Sequence, residues 1–333
     1  MAMNEPLTSG LFRFRRSIAC VAFAMLLGAA AHAQSDYPSR PIRMIVPNST
    51  GSSVDLVARK LSERLSVTLG QPIVVINQAG AGGLVGSQSL AQSPKDGYTI
   101  GFVGNTHVIV PHLHAKLAYD PVKDIQAVAF VGTIPFVAVV PGSSPIRDLK
   151  DLIDRAKRNP GGVKMGSSGS GTALHLSGTQ MQVLAGVEFL HVPYKGVAPL
   201  QLGILGGDLD FAMLTVGNAA PLVEQGRLRA LGTSGANRAS LMANVPTIAE
   251  AGLTGYDFES WLAVTAPSGI PLPALRRLND EVRTAVAHPE IQRLFAQNAI
   301  TSGFVGSDAA QKIVALDYER MARIVSKSGA KAD

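Results

Sequence analysis

IVPNSTGSSVDLVARKL, residues 45–61, runs from an apolar, β-branched strand through a Gly/Ser turn into an amphipathic helix. Val54, Val57, Leu61, Leu65 and Leu69 recur at spacings of three and four, which puts one apolar stripe on a helix over about 54–69. Strand, short turn and helix in that order form the repeating unit of an α/β fold. The turn admits three readings: a cradle for a nucleotide phosphate, a mount for a nucleophilic serine, or a seat for a small anion on free backbone N–H groups.

Outward from this stretch the alternation continues. IRMIVP (42–47), IVVIN (73–77), YTIGFVG (98–104) and AVAFVG (127–132) read as strands. The pattern restarts after VAVVP (137–141) with a helix over 148–158, the strand VKMGSS, a helix over 172–185, the strand FLHVPY, a helix over 198–205 and the strand DFAML. From Trp261 the chain resumes with WLAVTAPSG and helices over 273–287 and 307–328, the last with Ser307-Asp308 as its expected N-cap. The expected class is therefore α/β, with mixed, largely parallel sheets flanked by helices. We expect domain 1 over 36–134 and 261–333 and domain 2 over 135–260, with hinge crossings near 132–136 and 256–262. Two domains joined by two crossings can close like a jaw on a ligand.

The first 33 residues stand apart. Arg13, Arg15 and Arg16 precede an uncharged apolar run over 18–31, which meets Ala31-His32-Ala33, a signal-peptidase pattern with cleavage after Ala33. The single cysteine, Cys20, sits near the start of that run, where a lipidated cysteine would follow it. Once the leader is removed the chain has no disulfide, so burial must stabilise it; at this length roughly three quarters of the unfolded surface can be buried. The excess of 30 Lys and Arg over 24 Asp and Glu is mild and scattered, and aromatics are few, which argues against a nucleic-acid groove. No other stretch reaches eighteen uninterrupted apolar residues, so a soluble exported protein is expected.

Three Gly/Ser turns each join a strand to a helix: NSTGSS before Val54, NQAGAGG before Leu84 and GSSGSGT before Ala173. The first N–H groups of a helix lack intrahelical partners, and its dipole favours negative charge there. No turn ends in the Lys-Ser/Thr of a P-loop, and GAGGLVG has its third glycine one place too far for GxGxxG. There is no GxSxG elbow, although Ser167 and Ser168 follow a strand and His175, His191 and several aspartates could in principle complete a triad. His112 and His114 form an HxH pair without cysteine or acidic neighbours, which reads as a surface loop and not a metal site. His107 ends a strand and suits either a core position or a contact in a crevice. Asp210 could orient water or a ligand donor or serve the strand start it occupies, and Trp261 reads as a packed hinge residue.

YPSRPIRMIVP, the GAGG turn, DGYT, YDPVKD, SSGSGT, HVPYKG, GGDLD, GRLRALGTSGANR, VPTIAEAG and APSGIP stand in an order and spacing that closely resembles the Bug (TctC-like) family of extracytoplasmic solute receptors. The resemblance covers nearly the whole chain after the leader. It implies a two-domain periplasmic binding protein of the type II-like Venus-flytrap form, monomeric, non-enzymatic and without cofactor or metal. Such a receptor captures a small organic mono- or dicarboxylate, aromatic acids included, and delivers it to the membrane subunits of a tripartite tricarboxylate transporter. Family members hold a ligand carboxylate between two loops, largely through backbone N–H groups, hydroxyls and ordered water. The first loop carries over to Thr50, Gly51, Ser52 and Ser53, and the second to Ser167, Ser168, Gly169, Ser170, Gly171 and Thr172. Asn105, Thr106 and His107 match a further cleft-facing loop, and Asp210 an aspartate near the second-domain side. One departure stands out: the family's Pro-Gly-Gly turn is replaced by Asn48-Ser49-Thr50-Gly51-Ser52-Ser53. Thr50 restores an N–H that proline lacks, and Ser52 exchanges glycine's freedom for a hydroxyl. The alternatives are a secreted hydrolase using Ser167 or Ser168, and a receptor that feeds a sensor.

Overall fold

β1 (Ile42–Val46) leads through residues 47–52 into α1 (Ser53–Leu69). Ser52 has extended backbone, and its hydroxyl accepts the Asp55 N–H, which starts the helix; Gly70, in the left-handed region, ends it. The computed structural model describes Met1 and residues 37–114 and 116–328; the leader expected over 1–33 lies outside the described residues. β2 (Ile73–Asn77), α2 (Leu84–Ala91) and β3 (Thr99–Gly104) follow, with β1 paired parallel to both β2 and β3. A short helix α3 (Thr106–Ile109) and a 3-10 turn (Val110–Leu113) precede β4 (Ile125–Pro141).

The second set of units comprises α4 (Leu149–Arg158), β5 (Val163–Ser167), α5 (Ala173–Ala185), β6 (Phe189–Pro193), α6 (Val197–Gly206) and β7 (Phe211–Thr215). Then come α7 (Val216–Glu224), β8 (Leu228–Thr233), β9 (Glu259–Pro267), α8 (Leu272–Val286), α9 (Pro289–Gln297), β10 (Thr301–Gly306) and α10 (Ser307–Ser328). The strands run β2-β1-β3-β9-β4-β7-β5-β6, with β8 and β10 also paired to β4. The sheet is mixed: β2-β1-β3 and β6-β5-β7 are parallel triplets, whereas every pairing of β4 and β9 is antiparallel.

β4 departs from the reading of two separate strands. AVAFVG and VAVVP are parts of one 17-residue strand, because β9 pairs straight through the segment between them: Gly132 faces Leu262, Thr133 faces Trp261 and Pro135 faces Glu259. The next residue, Phe136, pairs with Thr215 of β7, so the ladder changes partner at Pro135. Core side chains fill both sides of this change, with Ile42, Met44 and Phe102 on one and Phe136 and Phe211 on the other fully buried. The Ser307 hydroxyl donates to the Ala127 carbonyl at 2.6 Å and ties α10 to β4. Trp261 is 5% exposed, and its indole N–H donates to Asp317 of α10 at 2.8 Å, which fixes the helix against β9. No helix among the described residues is long and apolar enough to cross a membrane.

Candidate ligand-binding site

The carboxyl ends of β1 and β3 from one triplet, and of β5, β6 and β7 from the other, open on a cavity of about 550 Å³. This is where α/β sheets bind ligands, since the loops there begin helices. Of the loop after β1, Ser52 and Ser53 line the cavity, joined by Asn48 and Ser49. Of the loop after β5, Ser168, Gly169, Ser170 and Thr172 line it, and Thr106 and Thr215 close the sides.

Two helix N-termini point their open donors at this space. In α1 the first intrahelical bond is made by Leu56 to Ser52, and the Asp55 N–H goes to the Ser52 hydroxyl, which leaves Ser53 and Val54 with no intrahelical acceptor. In α5 the same arithmetic holds: Leu176 bonds Thr172, and His175 N–H donates to the Thr172 hydroxyl at 3.4 Å, leaving Ala173 and Leu174 open. All four of these residues line the cavity. The arrangement suits an anion, which would meet two positive helix ends and several hydroxyls without a guanidinium clamp.

Asp55 shapes the first loop from behind. It is 1% exposed and accepts hydrogen bonds from Gly51 N–H at 2.9 Å, from Asn77 Nδ2 at 2.8 Å and from Arg59 Nε. Burial pushes its carboxyl up, but the bonds from Gly51, Asn77 and Arg59 outweigh this and hold it below the usual carboxylate range. Asn77 also donates to the Asn48 carbonyl, so both ends of the turn are pinned by one polar cluster.

Ser167 is fully buried and supports the second loop. Its hydroxyl lies 2.7 Å from His191 Nε2, donates to the Gly169 carbonyl at 3.1 Å and accepts the Gly169 N–H at 3.2 Å. The His191 ring stacks on His175 at 3.7 Å, and His175 Nδ1 accepts the Gly171 N–H at 3.1 Å. A serine and a histidine thus meet at hydrogen-bond distance, but Ser167 does not line the cavity, and its oxygen is engaged with Gly169 backbone on both sides. A nucleophile needs an exposed oxygen; this one holds a loop.

The remaining expected residues lie off the cavity wall. Thr50 and Gly51 form the outer part of their loop, with Gly51 at φ 79° and its N–H held by Asp55. Gly171, at φ 76°, faces Leu113 instead. Asn105 is fully buried, accepting from the Ser260 hydroxyl at 2.8 Å and donating to the Glu259 carbonyl. His107 is a core residue: 3% exposed, it donates from Nε2 to the Pro121 carbonyl at 2.9 Å, and burial pushes its pKa down to about 4. Asp210 sits before β7, at the end opposite Thr215, where it accepts the Lys164 N–H.

Several lining residues escaped the sequence reading. The turn Ala79–Gly83 was recognised as an anion seat by type but not placed against the second loop; a Cβ on Gly82 would stand 3.0 Å from the Ser170 carbonyl oxygen and 2.9 Å from Val110. Thr215 and Ser53, both on the cavity wall, are hydrogen-bonded to each other through their hydroxyls at 3.2 Å. Thr215 ends a plain apolar strand, and only the sheet order reveals its position. The HxH pair divides: His112 donates to the Tyr318 carbonyl of α10, while His114 faces the cavity. Among the described residues no group of three His, Cys, Asp or Glu could hold a metal.

The family model of the tripartite tricarboxylate transporter family receptor (TctC) matches residues 57–330. The chain belongs to the TctC family. The UPF0065 protein in the tcbD-tcbE intergenic region of Pseudomonas sp. (strain P51) is 35% identical over 314 residues, covering 93% of each chain. This TctC-family chain is similar in structure to the periplasmic binding protein BugD, with a TM-score of 0.83 and 29% identity over 89% of this chain and 100% of that one. It is equally similar to Rpa4515 of R. palustris, solved with adipate, at 0.83 and 29% over 89% and 99%. MatC of Rhodopseudomonas palustris, with bound malate, gives 0.81 and 26% over 87% and 100%. The α/β fold is therefore that of the periplasmic binding proteins, and the family is one of solute-binding receptors and not of enzymes.

Proposed function

We propose that this TctC-family receptor captures a small carboxylate in the cavity and delivers it to the membrane subunits of a tripartite tricarboxylate transporter. The observation that carries the reading is the pair of helix N-termini, α1 and α5, that direct open N–H groups and serine hydroxyls into one cavity from the two parallel triplets. Ser52, Ser53 and Thr106 act from one side and Ser168, Ser170 and Thr172 from the other. The two triplets are the cores of two lobes, divided at Pro135 of β4 and near the start of β9, that open and close around the ligand. Contacts from both loops then exist only in the closed form, and this difference in contact is what drives closure on binding. The leader over 1–33 exports the chain to the periplasm, with cleavage after Ala33.

A thermal-shift screen of organic acids tests the reading, because a ligand at a hundred times its dissociation constant adds about 2.7 kcal/mol of stability. Small-angle scattering with the tightest acid should show compaction. No shift with any acid refutes the receptor role, and no compaction refutes the closure cycle. For the tightest acid, calorimetry of the S52A/S53A double variant should show about a tenfold or greater loss of affinity, in line with about 1–1.5 kcal/mol for each hydrogen bond lost. Loss of uptake in a deletion strain separates transport from sensing.

A further inference from the structure

The two serines that open α1 do different things. Ser52 caps the helix by accepting the Asp55 N–H, whereas Ser53, its first residue, is 5% exposed and turns its hydroxyl to Thr215 at 3.2 Å. Thr215 is 8% exposed and ends β7 in the other parallel triplet. It stands at the N-cap of α7 with extended backbone, where a threonine hydroxyl ordinarily accepts an N–H of its own helix, and it makes no such bond. Thr215 thus forgoes its local partner for a serine on the other side of the cavity floor. The rim is fitted in the same sense. At Lys195-Gly196, after β6, a Cβ on Gly196 would stand 3.3 Å from the Ser49 hydroxyl, and a Cβ on Gly171 would stand 2.7 Å from Leu113.

This inference rests on the two-lobe carboxylate reading above, in which such contacts exist only while the lobes are closed. We propose that the Ser53–Thr215 bond is a latch between the lobes, made by the protein with itself and without the ligand, so that it scales the affinity for every acid alike and takes no part in choosing among them. The reasoning is linkage. A bond present in the closed form and absent from the open one favours closure whatever fills the cavity, and apparent affinity follows the fraction of competent, closed protein. On opening, each hydroxyl exchanges its partner for water, so the gain is that of one neutral hydrogen bond, about three- to tenfold in affinity. Because the latch breaks only on opening, the gain falls on the dissociation rate. The pair carries no charge, so the factor is insensitive to salt.

The test is calorimetry on the full folded protein with succinate, adipate, hexanoate and terephthalate, together with a cross-link that needs no ligand. T215V keeps the shape and loses the hydroxyl; it should weaken each acid that binds by one common factor of about three- to tenfold, and T215S should restore the parent's affinity. In an S53A background T215V should have no further effect, the signature of a bond between the two. S53C/T215C should form a disulfide under mild oxidation of the ligand-free protein, since only small side-chain rotations bring groups 3.2 Å apart to the about 2 Å that a disulfide needs. Peptide mapping tells this link from any made by the one natural cysteine, Cys20. If T215V weakens some acids and spares others, or its effect adds to that of S53A, Thr215 acts on the ligand and the latch is overturned. No change in any affinity overturns it too, and in each of these cases the carboxylate reading stands. If T215V does not fold, S53A takes its place across the panel. If no acid binds, the carboxylate reading falls and the cross-link alone decides the latch. Its formation without ligand upholds the latch, and its absence overturns it.

Discussion

Gly82, in the Gly-rich turn of one side, lies against Ser170 in the loop of the other, and Gly82→Ala tests the proposed closure separately from folding. Its φ is 65°, so a Cβ there strains the backbone by about 1–2 kcal/mol in any conformation. In the structure the new methyl also meets Val110 Cγ2 at 2.9 Å and the Ser170 carbonyl oxygen at 3.0 Å. Val110 can turn aside, but the carbonyl is backbone and lies across the cavity, so relief requires the two loops to part. Overpacking of this kind costs about 1–3 kcal/mol, which corresponds to a loss of about 5- to 150-fold in affinity if closure is needed to bind. Gly70→Ala supplies the control: φ is 70°, and nothing lies within 4 Å of its Cβ position. Urea unfolding should show comparable destabilisation for the two variants, and calorimetry with the tightest acid should show weakened binding for Gly82→Ala alone. Equal affinity in both variants would refute the reasoning, because the contact with Ser170 would then play no part in the bound state.

Other outcomes follow from the polar groups around the cavity. Asp55→Asn should lower stability at neutral pH by about 1–3 kcal/mol, since one buried acceptor of the Gly51, Asn77 and Arg59 bonds is replaced by a donor. The Asp55 carboxyl lies below its usual range in the folded chain, so its contribution is present above the unfolded value and lost as pH falls through the folded one; acid unfolding below about pH 4 should be shallower in the variant. Asp317 shows the opposite sign. Burial raises its carboxyl, although the Trp261 N–H opposes this, so its contribution is present at low pH and lost as pH rises through the folded value. Asp317→Asn keeps an acceptor for Trp261 and should flatten the pH dependence of stability on the acid side of neutrality; an unchanged profile argues against the shift. Ser167→Ala should cost about 1–3 kcal/mol in unfolding experiments through loss of the His191 and Gly169 bonds, and a serine-directed phosphonate should not label the parent protein. Labelling at Ser167 would restore the hydrolase reading.

The α/β class and the strand-to-helix order were legible because period-2 and period-3.6 patterns survive in one dimension. Neither Ser52 nor Thr172 was singled out as a cap, although a cap depends only on neighbours three residues away. Pairing is less accessible. β4 reads as two strands because Gly132 and Pro135 break its pattern, whereas β9 and β10 pair with the segment from its two sides and keep it extended. His107 illustrates the limit for site residues: its sequence neighbours suit a crevice, while its surroundings, set by Pro121 and the packing around α3, make it a neutral core residue. Asp210 shows a second limit: its place at a strand start was legible, but that the cavity lies at the other end of β7 depends on the strand's direction within the sheet. Thr215 and Lys195 became visible only once the two triplets were set side by side.

β4 has a consequence for how such a chain can change its length. Because one strand serves both ladders, side-chain alternation on either side of Pro135 is set by a single count of residues. Adding or removing one residue between Phe130 and Phe136 would turn every β4 side chain on one side to the opposite face of the sheet unless a bulge absorbed it. The ladder with β9 already shows irregularities between Ala127 and Ala129 and between Phe130 and Gly132. The two halves are therefore not interchangeable modules. Grafting one half onto a different partner would have to preserve residue parity across the junction, and changes in length are better placed in surface loops than in this strand.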